Sequence, residues 1–465
     1  MTTRVVVVGA GITGLTAALT LLDVVQGIDL VVVESSQHVG GKIRTGLFAG
    51  HQVDEAADAF LARVPEGIAL CERLGLRESL VAPAARTAYL YSRGQLHRFP
   101  EGLMLGIPTD LDALAASGVV SAAGVARAGQ DLTMGPDPAG QADESVGALV
   151  RRRLGDEIYD VLVGPLLSGV NAGNADWLSV AAGAPQFEAA MREHGSLIAG
   201  ARAQRQSAAA SNPQAPVFFG LPTGMHDLIA ALHGAVLAAG GRVHRGRTVS
   251  SIERADSDSW ILGTTDGKTY DADAVVLTTP LFVTSQLVAD LVPDVAVEMG
   301  EVEYSSPTMV TLAVPKALID HPLDASGFLV SASEGLVLTA CSWASSKWAH
   351  LDSDTTAILR ASAGRHHDDR AEHMSDSELV ATLLAELAVT MGLDGSPSEV
   401  RINRWPDSLP QFRPGHLDRV QRWHNALAAI APGLVATGAG FEGLGLPACI
   451  RQATTTAKTL AQQAF

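Results

Sequence analysis

Gly9, Gly11 and Gly14 follow a run of four valines, 5–8, and open a stretch of helix-forming residues. In such a turn the first glycine permits a tight reversal and the second lets backbone approach a pyrophosphate. The third lets helix pack closely on strand. The helix N-terminus adds free N–H groups and roughly half a positive charge, which suits phosphates. Glu34 stands 20 residues past Gly14, at the end of the next apolar run. A carboxylate placed there can accept hydrogen bonds from ribose hydroxyls. Glycines in βα turns can be purely structural, but strand, helix and acid in register together predict a dinucleotide site.

Two further segments narrow the dinucleotide. Gly40-Gly41-Lys42-Ile43-Arg44-Thr45 is a basic glycine pair of the kind that FAD-dependent oxidases carry close behind the acid. Near the other end, Gly438-Ala439-Gly440-Phe441-Glu442-Gly443-Leu444-Gly445 offers small residues before a final helix. Backbone N–H groups there could reach a flavin edge. A glycine turn at each end predicts FAD rather than NAD. No catalytic base is assigned, because flavin chemistry rests on the cofactor while the protein orients and tunes. His366, His367, Asp368 and Asp369 could suggest a metal, but they lie in a charged, loop-like run. They read as solvated surface, and no metal is expected.

The elements that must position these residues alternate. Residues 5–8 and 30–33 read as buried parallel strands around a helix at 15–25. Residues 66–82 look helical, and 89–98 form a hairpin about Arg93-Gly94. From 100 to 215 strands become hard to find, and Arg151 to Arg153 open a helical stretch; this is a helical insert. Residues 130–144 and 204–216 read as loops. The α/β pattern then returns, with a helix at 225–239 and a strand at 242–253 that contains Val249. A hairpin follows at 260–270 and a buried strand at 274–279. A β-rich section runs from 300 to 363, then a helix at 376–392, a strand at 434–437 and a helix from 447 to 464. The fold class is α/β: a Rossmann-type FAD-binding lobe with an inserted α+β substrate-binding lobe and a helical insert. The FAD-binding lobe would comprise 1–85, 216–295 and 401–465. The substrate lobe would take the hairpin 86–99 and residues 296–400, and the insert 100–215.

The chain has 465 residues, 47 % apolar and 18 % charged, as ordinary globular proteins do. Its formal charge of −17 argues against nucleic acid or anionic lipid as partners. Cys71, Cys341 and Cys449 are odd in number and far apart, so neither a disulfide framework nor a zinc site is indicated. Reduced, buried thiols in a cytoplasmic protein are expected. Residues 5–22 carry no charge and approach the length of a membrane span, but the glycine spacing makes them a βαβ unit. No transmembrane segment is expected.

Several segments carry a family resemblance. Glu442-Gly443-Leu444-Gly445-Leu446-Pro447 with Cys449-Ile450 resembles the terminal flavin segment of the protoporphyrinogen/coproporphyrinogen oxidase family. So do Arg404-Trp405-Pro406, Leu409-Pro410-Gln411-Phe412 and Pro414-Gly415-His416-Leu417, and the stretches 102–109, 166–173, 273–280 and 359–365. The resemblance spans residues 4–460 and looks most like the soluble bacterial coproporphyrinogen branch. It implies an amine-oxidase-like fold and a porphyrinogen that loses six electrons in three two-electron steps. Each step would pass hydride to flavin N5, with oxygen reoxidising the flavin and releasing hydrogen peroxide in haem biosynthesis. It assigns FAD contacts to Gly9, Ala10, Gly11, Ile12, Thr13, Gly14 and Leu15, to Glu34 and Ser35, and to Gly41 and Lys42. Further contacts fall on Ala57, Asp58 and Ala59, on Val249 and Trp405, and on Leu444, Gly445 and Leu446. Gly169, Gly327 and Leu329 match positions that hold the macrocycle. Where many relatives have Gly-Pro-Asp-Ser, this chain has Ala56-Ala57-Asp58-Ala59, which puts one local backbone contact in doubt. Ala88 stands where some protoporphyrinogen oxidases carry a propionate-pairing arginine.

Coproporphyrinogen III carries four propionates and is water-soluble, whereas protoporphyrinogen carries two and usually engages enzymes on membranes. With no membrane span and no basic amphipathic helix, the chain is expected to prefer coproporphyrinogen III. A tetra-anion approaching a protein of charge −17 needs a locally basic pocket, with Arg86, Arg93, Arg98 and Lys347 as candidates. Protoporphyrinogen IX oxidation is the alternative. A flavin oxidase of amines or carotenoids is a further reading, opposed by the 405–411 and 359–365 segments. A non-catalytic FAD- or porphyrin-binding carrier is a reading of another class. Transient contact with a ferrochelatase would follow from the haem-pathway resemblance.

Overall fold

The computed structural model describes residues 3–137, 142–211, 215–255 and 259–464. Val5, Val6, Val7 and Val8 are almost wholly buried, because the strand Arg4–Val8 is central in a five-stranded parallel sheet. Its neighbours are Asp29–Val33 and Ala274–Leu277, with Arg242–His244 and Leu434–Ala436 at the edges. A parallel strand covered on both faces must be apolar throughout, which is why these strands read as unbroken Val/Leu runs. The sheet thus joins strands from both ends of the chain. Helix Ile12–Val24 and helix Leu446–Ala464 share one core, where Ala17, Leu21, Ala453, Ala457 and Leu460 are buried.

A seven-stranded sheet forms the second layer system. Its order is Glu399–Arg404, Thr308–Pro315, Thr356–Ala363, Leu338–Trp343, Gly327–Val330, Tyr89–Ser92 and Gln95–Arg98. All pairs are antiparallel except the one between Gly327–Val330 and Tyr89–Ser92. Helices between 111 and 211 build a separate core around Val150, Leu154, Ile158, Leu162 and Phe187. Inside it Arg153, 1 % exposed, pairs with Asp131 at 2.6 Å and donates to the carbonyls of Gly135 and Gly195. A buried ion pair so fully hydrogen-bonded fixes one arrangement of its helices.

The structure corrects several expected bounds. The strand expected over 242–253 is two strands in two sheets, Arg242–His244 and Val249–Arg254, because the chain turns at Gly246 with φ +65°. The helix expected over 66–82 is Pro65–Arg73 followed by a single turn, Arg77–Ser79. Arg151 to Arg153 close the helix Val146–Leu154 instead of opening one, since the Ser145 hydroxyl caps its start by accepting from Ala148 N–H at 3.1 Å. Of the loop expected over 204–216, residues 204–211 continue the helix Leu197–Ser211, as strong alanine propensity favours. The remainder of that loop, 212–214, and residues 138–141 of the loop expected over 130–144 lie outside the described residues. The insert also holds a short hairpin, Leu103–Met104 with Ile107–Pro108.

Candidate functional site

The N-terminal turn is shaped by its own backbone. Gly9 takes φ +104°, a region closed to most side chains, and its N–H donates to the Val33 carbonyl at 2.8 Å. A Cβ on Gly14 would overlap the Gly9 carbonyl oxygen, so only glycine lets the helix start against the turn. At Gly11 a Cβ would meet nothing within 4 Å, which leaves open space above the helix N-terminus. No side chain caps that terminus and no acidic residue occupies its first turn, so its N–H groups stay available for phosphate. The Glu34 carboxylate is 8 % exposed and accepts from Ala10 N–H at 2.7 Å and Ser36 N–H at 2.8 Å. It keeps lone pairs for ribose hydroxyls. Ser35 is exposed beside it, and Arg247 N–H donates to the Glu34 carbonyl, bringing the buried start of the Val249–Arg254 strand close.

The 40–45 segment crosses the same turn. Gly40 N–H donates to the Ala10 carbonyl at 2.8 Å, and Gly41 lies against Gly11. Lys42 reaches the Ser408 carbonyl, and burial pulls its ammonium below the usual lysine range. Arg44 stacks 5.5 Å from the Trp405 ring centroid, and the Trp405 indole donates to the Glu55 carbonyl at 3.2 Å. Among the described residues neither Lys42 nor Arg44 has an ion-pair partner. Two such cations beside a helix N-terminus and an acid fit the charge distribution of a flavin dinucleotide.

The C-terminal turn completes the cradle. The Cβ position of Gly438 is 3.6 Å from Thr13, so the two glycine turns meet. Cys449, at the start of the last helix, donates weakly toward the carbonyls of Gly443 and Leu444, and burial raises its thiol pKa. At Gly445 the Cβ would meet only a proline ring atom at 4.0 Å, so space is open there too.

The 56–59 segment is held from behind by the seven-stranded sheet. Asp58 accepts from Lys347 at 2.8 Å and from the Trp348 indole at 3.0 Å, and lies 3.1 Å from Arg360. Burial alone would raise its pKa; Lys347 and Arg360 outweigh burial and hold the carboxyl well below the usual range. Arg360, 4 % exposed, also donates to the Ala56 carbonyl. Asp58 is therefore committed within the protein, and Ala57 and Ala59 flank it, both partly buried. Asp54 nearby accepts from Met225 N–H at 2.8 Å and from the Thr45 hydroxyl; burial pushes its carboxyl up to about 6.

The residues matched to the macrocycle do meet. A Cβ on Gly169 would come 2.8 Å from Leu329 Cδ2, and Gly327 starts the same strand as Leu329, close against the Cys341 carbonyl. Leu329 packs on the insert core together with Leu444 from the C-terminal turn. Of the expected basic candidates, Lys347 is bound to Asp58, Arg98 to Asp324 and Arg93 to Glu157, while Arg86 is also engaged. His366 is not solvated surface: it is 7 % exposed and sits 3.2 Å from Glu303, and its backbone N–H donates to the Ala172 carbonyl of the insert at 2.9 Å. His367 and Asp369 are exposed. Among the described residues no cluster of three His, Cys, Asp or Glu could hold a metal ion. Sequence reasoning gave no role to Arg360 or His416. A charge within the apolar strand Thr356–Ala363 was the one available signal for the first.

Fold and site together define a flavin oxidoreductase. Residues 12–461 match the family described as flavin containing amine oxidoreductase. Coproporphyrinogen III oxidase of Bacillus subtilis (strain 168) is 33 % identical, covering 97 % of this chain and 96 % of that protein. Coproporphyrinogen III oxidase of Mycobacterium tuberculosis (strain H37Rv) is 34 % identical, covering 96 % and 94 %. The crystal structure of a putative protoporphyrinogen oxidase from Exiguobacterium sp. 255-15 superposes with a TM-score of 0.87 at 31 % identity over 99 % of each chain. The chain belongs to the flavin containing amine oxidoreductase family and is an FAD-dependent oxidoreductase. Its resemblance to porphyrinogen oxidases holds along nearly the full length. Among the described residues no helix is long and apolar enough to cross a membrane.

Proposed function

We propose that this protein oxidises coproporphyrinogen III to coproporphyrin III in the cytoplasm, as a step of haem biosynthesis. The observation that carries the reading is the close approach of Gly169 to Leu329, with Leu329 and Leu444 packing on one insert core: an apolar surface reaches the C-terminal glycine turn. The names of the full-length relatives support the same substrate. Bound FAD supplies hydride acceptance and, through oxygen, release of peroxide: three oxygen molecules are consumed and three of hydrogen peroxide formed per porphyrin. The protein's own residues orient and exclude water. Gly9 to Leu15, Glu34, Ser35, Gly41 and Lys42 hold the dinucleotide, with Val249, Trp405 and Leu444 to Leu446 along its length. The Ala57–Ala59 stretch is fixed through Asp58, and Gly169, Gly327 and Leu329 press on the macrocycle. The lobes follow the division 1–85, 216–295 and 405–465 for FAD and 86–99 and 296–404 for substrate, moved from the expected 400/401 because the strand Glu399–Arg404 belongs to the seven-stranded sheet, with 100–215 for the insert. A ferrochelatase takes the product by transient contact.

Propionate recognition falls to cations other than those bound to Asp58, Asp324 and Glu157. Arg63 approaches the Met104 sulfur at 3.9 Å and Arg205 donates to the Thr109 hydroxyl at 3.0 Å, both on the 102–109 hairpin. Neither has an ion-pair partner among the described residues. Arg205→Ala is expected to raise KM for the tetracarboxylate about tenfold and for protoporphyrinogen less. The function is tested by supplying coproporphyrinogen III and protoporphyrinogen IX separately in air, following porphyrin fluorescence and peroxide. Faster turnover of the first, with three peroxides per porphyrin, is expected. Faster turnover of protoporphyrinogen would move the assignment to that substrate, and no product from either would reject oxidase function.

A further inference from the structure

His416 opens the helix His416–Ile430 and is completely buried. Its Nε2 lies 3.0 Å from the Gly440 carbonyl oxygen and 2.8 Å from that of Phe441. Two acceptors facing one ring nitrogen require that nitrogen to carry the proton, so Nε2–H donates to both. The other nitrogen, Nδ1, has no partner and no contact with solvent. The ring stacks on Phe412 at 4.4 Å and meets Trp423 edge-on at 5.8 Å, which fixes its plane. Phe412 belongs to the insert core on which Leu444 packs. One residue earlier, Gly415 N–H donates at 2.8 Å to Asp143 of the insert, whose other bonds are to Ser179 and Ala181.

We propose that His416 is a positioning residue for the flavin, clamping the Gly440 and Phe441 carbonyls so that the backbone N–H groups of residues 444–446 keep the direction that flavin binding needs. This rests on the assignment of those residues as FAD contacts. A carbonyl pair left unclamped in a glycine-rich turn would let the turn rotate, because few side chains restrain it: among the described residues Gln452 binds Glu442 N–H and the Gly443 carbonyl, and the Cys449 thiol donates only weakly toward the Gly443 and Leu444 carbonyls. The imidazole acts as a neutral donor. Burial, with the nearby Arg419, disfavours its charged form and outweighs the Phe441 and Gly440 carbonyls and Asp143 of the insert, which favour it.

The test compares His416→Phe, which keeps volume and stacking but removes the donor, with His416→Gln, whose amide returns a donor near the Nε2 position. Stripped apoprotein is titrated with FAD, its thermal midpoint is recorded, and the flavin midpoint potential is measured in the holoprotein. His416→Phe should bind FAD about tenfold more weakly with a shifted potential, and His416→Gln should recover to within about threefold. Wild-type affinity and potential in His416→Phe would overturn the proposal, whatever happens to the apoprotein midpoint. Gly445→Val is the control for the underlying assignment, since its side chain fills the open space beside the turn. If Gly445→Val also leaves FAD binding unchanged, the assignment of residues 444–446 fails; if it alone weakens binding, only the role of His416 fails. Should His416→Phe not fold, histidine-labelled wild-type protein decides by 15N resonance. The Nε2–H tautomer with a signal that moves on FAD removal supports the clamp; an Nδ1–H tautomer or an unmoved signal overturns it.

Discussion

The two glycine turns that meet at Thr13 and Gly438 are built on opposite plans. The N-terminal turn shapes itself: Gly9 makes the reversal, Gly14 lets the helix press on it, and Glu34, the next strand's end, ties down Ala10. Its main determinants lie within one βαβ unit, with the Gly40 N–H on the Ala10 carbonyl and the Thr278 hydroxyl on the Gly9 carbonyl added from outside. The C-terminal turn is shaped from outside. His416 and Gln452 hold its carbonyls, and Leu281 and Tyr304 crowd Gly440. A turn between two strands and a helix inherits rigidity from them, whereas a turn in a connecting segment must receive it from side chains.

Breaking the first turn should therefore be nearly all-or-none. Gly14→Val forces a side chain into the Gly9 carbonyl, and a loss of more than about 3 kcal/mol with no retained flavin is expected from urea unfolding and absorbance. Wild-type stability there would show that the turn can shift. The second turn offers a pH handle instead. Burial pushes the His416 imidazole down to about 4, while an unfolded histidine titrates near ~6.5. The unfolded chain thus takes up the proton first, and stability falls as pH drops from ~6.5 toward 4, by up to about 3 kcal/mol. His416→Gln should flatten that part of the profile in apoprotein unfolded at several pH values; an unchanged slope would place the titration elsewhere. Glu34→Gln keeps an acceptor for Ala10 but removes the charge, so about tenfold weaker FAD binding is expected by titration. Gln452→Leu, at a buried position, frees the N–H of exposed Glu442 and the carbonyl of half-buried Gly443, which water can reach, and should weaken FAD by only about threefold.

This contrast also explains what could be read from the sequence. The N-terminal turn, its strand and Glu34 were legible because their signal is local spacing. The C-terminal glycines were legible as composition, but not the clamp, since His416 lies 24 residues before Gly440 and only the fold brings them together. The same holds for Asp58, whose partners Lys347 and Arg360 are 289 and 302 positions away along the chain. Charge counting pointed to Arg93, Arg98 and Lys347 as free cations, yet each had a carboxylate waiting on another element. The strand expected over 242–253 failed for a smaller reason: one glycine, Gly246, turns the chain between two short strands that join different sheets.

In the proposed reaction FAD, held between both turns, accepts electrons from a tetracarboxylate porphyrinogen. Mixing oxidised holoprotein with coproporphyrinogen III under strict exclusion of oxygen tests this directly. Loss of the yellow flavin absorbance, complete with substrate in excess and reversed with peroxide formation on admitting air, is the predicted result. A flavin that stays oxidised in the presence of excess coproporphyrinogen III would contradict it.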